Sequence, residues 1–228
     1  MKWVYAYDNH DNLVKEELFF HNDTLGHRKV FIYGKNGLIA MSIESSPKIE
    51  AIEAKYIYDL HTNLKEIIYY NTNGIYCSKI EYKYDNLGNL IMESWLNDEG
   101  SLKEKYIYHY DLEGNQNELQ CYDADLVPII QNITKFDSDG NRIEELCYNS
   151  NNILTDKIQY KLDSFKHVIE ELWWLPDGTT YKKSLYKYNS KGLLSEKYIY
   201  NSDLIFEERI IYKYDKRNNL IQKEAIRV

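Results

Sequence analysis

Cysteine is scarce: Cys77, Cys121 and Cys147 are the only three in 228 residues. That is too few for the disulfide framework of a small secreted domain. Proline is equally rare at three, so the chain is not a Pro-rich linker or low-complexity segment. No apolar run approaches the ~18 residues of a transmembrane helix, which predicts no membrane insertion. Residues 1–8 lack the apolar core of a secretory signal. This predicts a cytoplasmic protein, or an extracellular or periplasmic one if a leader has been removed. Lys and Arg total 28 against 36 Asp and Glu, a formal charge of −8 with no basic block. Nucleic-acid binding needs a clustered positive footprint, so no nucleic-acid partner is predicted. The same deficit argues against adsorption to anionic lipid.

Recognisable catalytic arrays are missing too. The six histidines form no HExxH or CxxC-type set, so neither a metal nor a cofactor is predicted. Paired acids do occur, as Glu16-Glu17, Glu144-Glu145, Glu170-Glu171 and Glu207-Glu208. Neighbours in a strand face opposite sides, so these pairs decorate a sheet rather than flank a scissile bond. The expectation is a protein that is not an enzyme.

What the chain has is tyrosine, 23 residues of it, on a fixed period. Aligned on Tyr-Asp, the anchors fall at Asp8, Gly34, Asp59, Asp85, Asp111, Asp137, Asp163, Asn189 and Asp215. Every interval is 26 residues except the 25 between Gly34 and Asp59. An aromatic usually stands one and three residues before the anchor, as in Tyr82-Lys83-Tyr84 and Tyr186-Lys187-Tyr188. A spacing of two places both rings on one face of a strand, with hydroxyls expected to reach water. Three residues after the anchor stands Gly37, Gly88, Gly114, Gly140 or Gly192, or else Asp11, Thr62, Lys166 or Asn218. Asp85 with Gly88, Asp111 with Gly114 and Asp137 with Gly140 are therefore structural turn formers: the carboxylate accepts backbone N–H groups and glycine tolerates positive φ. A second apolar run and a second turn complete each unit.

Twenty-six residues hold two strands and two turns but are tight for a strand plus a crossover helix. The predicted fold is therefore all-β: about nine tandem β-hairpin repeats over residues 1–228, in one long antiparallel meander of 16 to 18 strands. Accumulated twist predicts a coiled or superhelical sheet, or a partly closed wrap. Irregularity is expected around 41–54, where the short interval falls and where a repeat-breaking cleft would have to lie. Residues 1–8 and 219–226 are expected to be free edges, which predicts end-to-end self-association. Cys121 and Cys147 share a repeat position two strands apart, roughly 9–10 Å at normal strand spacing, so they should stay reduced.

The segments Tyr84-Asp85-Asn86-Leu87-Gly88-Asn89-Leu90 and Tyr110-Asp111-Leu112-Glu113-Gly114-Asn115 resemble the YD repeats of the Rhs and teneurin families. The resemblance extends over essentially the whole chain. A weaker one is to MORN-like antitoxin repeats, whose period is slightly shorter. The YD resemblance implies a spiral β shell, which in bacterial members encapsulates a C-terminal toxin. It also implies carbohydrate binding or cell-surface recognition. The last repeat reaches Val228 with no toxin segment after it, so a short standalone member is expected rather than a shell.

Two surfaces are candidate binding sites. Trp95 and Trp173 share one repeat position; Trp174, Tyr122 and Tyr148 share the next. Such strips either stack within the fold or, left in solvent, bind a glycan or a protein. Lys135, Lys161, Lys187 and Lys213 form a ladder two residues before successive anchors. Glu145 and Glu171 are expected to alternate with them, as cross-strand charge pairs or as a polar groove for a partner. The function expected is non-enzymatic recognition or scaffolding, with an accessory or immunity role beside a polymorphic toxin implied by the YD resemblance. The alternative is a carbohydrate-binding module.

Overall fold

The computed structural model describes residues 1–47 and 49–227. It contains 18 strands and, among the described residues, no helix. They are β1 Lys2–Tyr7, β2 Leu13–Phe19, β3 Leu25–Tyr33, β4 Ile39–Ser46, β5 Ile49–Tyr58 and β6 Leu64–Asn71. Next come β7 Tyr76–Tyr84, β8 Leu90–Leu96, β9 Leu102–Tyr110, β10 Gln116–Asp123, β11 Pro128–Phe136 and β12 Arg142–Asn149. The last six are β13 Leu154–Leu162, β14 Val168–Trp174, β15 Thr180–Tyr188, β16 Leu194–Asn201, β17 Phe206–Tyr214 and β18 Leu220–Arg227. The all-β repeat of antiparallel hairpins read from the period is what the structure shows. The chain divides into two compact units, one of Met1–Lys83, Ser94–Lys103 and Ile211–Ala225, the other of Tyr84–Glu93, Glu104–Ile210 and Ile226–Val228.

Each strand pairs with its neighbours in chain order. The free edges expected at residues 1–8 and 219–226 do not exist, because β1 pairs with β18 as well as with β2. Lys2, Trp3 and Val4 stand opposite Glu224, Lys223 and Gln222. The ladder of pairings therefore returns to its first strand, which answers the partly closed wrap among the forms expected from accumulated twist. Closure satisfies the backbone groups that an open edge would offer to another chain.

The turns explain the anchors. In the Asp85 turn, Asp85 Oδ1 accepts the N–H of Leu87 and of Asn89, each at 2.8 Å. The Asn89 side-chain amide donates to Oδ2 at 2.9 Å. The residue three after the anchor has φ between 64° and 86° in all nine turns. At Gly88 a Cβ would meet nothing within 4 Å, so backbone conformation rather than space selects glycine there. Five of the second turns use the same device with an asparagine or aspartate that the Tyr-Asp alignment passes over; those at Phe20 and Leu175 do not. Asn71, Asn97, Asp123, Asn149 and Asn201 each accept backbone N–H groups two and four residues on. Beside the turns the register shifts, as between Lys135 and Phe136 and between Cys147 and Tyr148. Such one-residue bulges accompany hairpins whose turn ends in a left-handed residue.

The tyrosine preceding the anchor latches one hairpin to the last. Tyr33, Tyr58, Tyr110 and Tyr188 donate their hydroxyls to the backbone carbonyls of Leu13, Ile39, Leu90 and Val168 at 2.8–3.0 Å. Tyr7 makes the same bond to Leu220, 213 residues away, at 3.0 Å. The first repeat is thus fastened to the last as any repeat is to its predecessor. These hydroxyls bond the backbone instead of water, contrary to the expectation from composition, because each ring lies back over the preceding hairpin. Within residues 41–54, β4 runs to Ser46 and β5 begins at Ile49, with a register shift between Glu44 and Ser46.

Burial distinguishes the two faces of the ladder. The buried Ala54, Ile80 and Ile158 stand five residues before an anchor, on the face of the Tyr-x-Tyr rings. Ile67, Ser42, Cys121 and Ser184 are buried on that same face. Five buried apolar residues among those described are few for a chain of this length. The remaining apolar burial is shared among half-exposed tyrosines and aliphatic residues along the strands.

Candidate recognition groove and cleft

On the opposite face stand the lysines, each exposed. Lys135 lies opposite Glu144, Lys161 opposite Glu170 and Lys187 opposite Glu196. Glu145 and Glu171 do not alternate with them: they stand opposite Thr134 and Tyr160, on the tyrosine face. The bulge beside each turn moves the register by one residue, and a one-residue slip exchanges faces. Glu144 receives Lys135 and Lys157, each at 2.7 Å, and the Lys135 ammonium first, then that of Lys157, holds its carboxyl below the usual range. Glu196 receives Arg209 at 2.8 Å and Lys187 at 3.7 Å. Glu170 is taken by Lys183 at 2.9 Å. Lys161, directly opposite Glu170, has no ion pair among the described residues. Lys213 is exposed as well.

Lys135 and Lys161 line one open groove of about 530 Å³ across β11–β14, with Glu144, Glu170, Gln159, Leu172, Ile143 and Tyr160. The structure thus brings two of the four ladder lysines to a single concave surface. Ile143 is 39% exposed there.

The aromatic candidates do not make a continuous solvent strip. Trp95 is 39% exposed, whereas Trp173, Trp174, Tyr122 and Tyr148 are half-buried. Trp173 meets Tyr181 edge-on at 6.2 Å and carries the Lys182 ammonium 4.9 Å above its ring. The indole N–H groups of Trp173 and Trp174 are buried with no acceptor among the described residues.

On the tyrosine face, the aromatic three residues before an anchor meets the residue eight after the previous anchor. Tyr108 donates to Glu93 at 3.1 Å and Tyr160 to Glu145 at 3.0 Å; Tyr56 and Ser42 share a hydrogen bond of 3.1 Å. Burial, then the neighbouring carboxylate, raises the phenol pKa values of Tyr108 and Tyr160. At the Asp137 anchor both members change. Thr134 replaces the tyrosine and Leu119 its partner. Asn132 also occupies the position that Ile80 and Ile158 fill as buried aliphatics. The result is a cleft of about 280 Å³ lined by Asn115, Gln116, Leu119, Asn132, Thr134, Phe136, Arg142 and Glu145. Arg142 bonds Glu145 at 3.3 Å and lies 5.2 Å from the centre of the Tyr160 ring. The cleft shares Asn115, Thr134 and Phe136 with an open depression of about 860 Å³ toward the Asp111 and Asp137 turns. Asn132 Oδ1 and Asn117 Oδ1 are buried without a hydrogen-bond partner among the described residues.

Nearby Cys147 has its thiol pKa pushed up to about 11, by burial first and then by Glu145 and Asp156. It is therefore a poor nucleophile at neutral pH. All three cysteines are free thiols. Among the described residues no three His, Cys, Asp or Glu side chains converge as a metal site. The departure at 132–134 was visible as a break in the tyrosine column, but its meaning required knowing that Leu119 is the lost partner.

No family model matches the sequence, and no curated protein matches it. Among solved structures, the chain is similar to TcdB2-TccC3, at 11% identity over 98% of this chain and 16% of that one, with a TM-score of 0.39. Similarity to the Photorhabdus luminescens Tc holotoxin pore is at 10% identity, over 99% of this chain and 16% of that one, with a TM-score of 0.32. A porin-like protein from Bacteroides uniformis aligns at 6% identity over 100% of this chain and 96% of that one, with a TM-score of 0.49. The chain thus spans about a sixth of the toxin chains it resembles, and these similarities extend to fold alone.

Proposed function

We propose that this protein is a non-enzymatic recognition scaffold that binds a protein partner through the groove across β11–β14. The observation that carries the reading is Lys161, an exposed ammonium with no ion pair among the described residues, between the paired Lys135 and the apolar Leu172 and Ile143. A cation flanked by apolar surface suits an acidic segment with an aliphatic or aromatic anchor, the combination that gives both steering and affinity. Regular repeats favour this use, because stacked hairpins present a long surface whose local departures set specificity. The accessory or immunity role beside a toxin is the finer form of the reading, supported by the YD-repeat resemblance of the sequence.

Quantitative affinity capture from host lysate, comparing the native chain with Lys161→Glu, tests it. A single stoichiometric partner, enriched at least tenfold less by the variant, is the expected outcome. Identification of that partner as a toxin would support the immunity role. Equal recovery by both proteins, or no partner above control, contradicts the groove as the contact surface.

A further inference from the structure

The cleft at Thr134 shares no lining residue with the lysine groove. Its shape follows from the repeat. In the flanking units a phenol ring stands at this level, with its hydroxyl on a glutamate of the preceding hairpin. Here Thr134 supplies no ring and Leu119 no carboxylate, while the neighbouring strands continue the pattern with Tyr108 and Tyr160. Loss of a ring without inward movement of its surroundings leaves room of ring size, since packed interiors relax only in part. The remaining walls are Phe136 and Leu119, which are apolar, and Asn132, Gln116, Arg142 and Glu145, which are polar. Glu145 is satisfied by Arg142 and the Tyr160 hydroxyl, so no bare charge calls for an ion. The unmet demand comes from Asn132 Oδ1 in the cleft and Asn117 Oδ1 in the adjoining depression, both acceptors.

We propose that this cleft binds a phenolic ring: one six-membered aromatic ring carrying an O–H donor. The ring packs against Phe136 and Leu119, and the hydroxyl donates to the Asn132 amide. Phenols are amphipathic in the sense the walls require, with an apolar body and one polar tip. Two sources supply such a ring, a free phenolic metabolite and the tyrosine side chain of a partner chain.

Titration of the whole protein with p-cresol and with N-acetyl-tyrosine N-methylamide, followed by NMR, separates them. Saturable shifts are expected at the Asn132 and Asn117 side-chain amides and the Leu119 methyls. Thr134→Tyr, which supplies the missing ring from within, should weaken binding at least tenfold. Asn132→Leu, which removes the acceptor without restoring the ring, provides a second blocking variant should Thr134→Tyr fail to fold. Tighter binding of p-cresol identifies a free metabolite; tighter binding of the amide identifies a peptide side chain. Lys161→Glu should leave either affinity unchanged, so failure here is distinct from failure of the groove. Absence of saturable binding by both probes, or equal binding to the native and blocked proteins, overturns the proposal. Binding of methyl glucoside in place of the phenols would also overturn it, by showing a polyol site.

Discussion

The repeats ending at Asp111 and Asp163 and the one between them, ending at Asp137, have the same backbone and different interiors. In the outer two, a tyrosine is tied to a glutamate of the preceding hairpin. In the middle one, threonine and leucine take their places, an asparagine carries a buried carbonyl oxygen with no partner among the described residues, and a cleft opens. The turn is unaffected: Asp137 Oδ1 accepts the N–H of Asp139 at 3.0 Å and of Asn141 at 2.9 Å. Turn chemistry therefore maintains the ladder's geometry, while the tyrosine face is free to change. A repeat protein can acquire a site this way without disturbing its neighbours, because each unit's backbone is fixed locally.

The largest expected effect comes from making an intact repeat resemble the divergent one. Ile158 is 4% exposed and stands opposite Glu145 and Trp173. Ile158→Ala should cost about 2–5 kcal/mol in denaturant unfolding, the usual range for emptying a packed aliphatic site. The reverse change, Asn132→Ile, should stabilise, since it removes a buried acceptor whose unsatisfied state costs about 1–3 kcal/mol. If Ile158→Ala were neutral, the two positions would not differ in packing as described.

A smaller effect separates the turns. The Asn141 side-chain amide holds the Asp137 carboxyl below its ordinary range, helped by the Asn141 backbone N–H. A depressed folded-state pKa gives stability that is present above the unfolded value near ~4 and is lost as pH falls through the folded value. Asn189 forms the equivalent turn with a neutral amide, accepting the N–H of Lys191 at 2.9 Å and of Leu193 at 3.1 Å. Asp137→Asn should therefore lower stability at pH 7 modestly, by the loss of the carboxylate's contribution, and make the loss below pH ~4 shallower. An identical acid-unfolding curve would show that this carboxylate contributes nothing to the acid limb.

The period was legible in the sequence because turn chemistry is local. Asp85 and Gly88 declare their roles by residue type and spacing alone. Asn71 and Asn149 were less legible although Tyr70 and Tyr148 precede them, because they fall outside the 26-residue series on which the chain was aligned. Registers were misread for the same reason that the turns were read correctly. The bulge next to each left-handed residue inserts one position, so the acid opposite Lys135 is Glu144 and not Glu145. Closure was only half legible: accumulated twist allowed a partly closed wrap, but the sequence pattern pointed to free ends. No local pattern reports the pairing of Trp3 with Lys223 across nearly the whole chain. The cleft was half visible: Thr134 broke the tyrosine column, but only the diagonal neighbour relation revealed Leu119 as the second half of a paired loss.

The claim that tyrosine and glutamate act as one unit, lost together at Thr134 and Leu119, is tested most directly by restoring both. A double-mutant cycle on Leu119→Glu and Thr134→Tyr, read by denaturant unfolding, isolates their coupling. The account predicts a favourable interaction of about 1 kcal/mol or more, in line with a hydrogen bond to a charged acceptor, and a double variant no less stable than the native chain. Strictly additive single effects would contradict it, showing that the two residues changed independently and that the cleft is not the imprint of a missing pair.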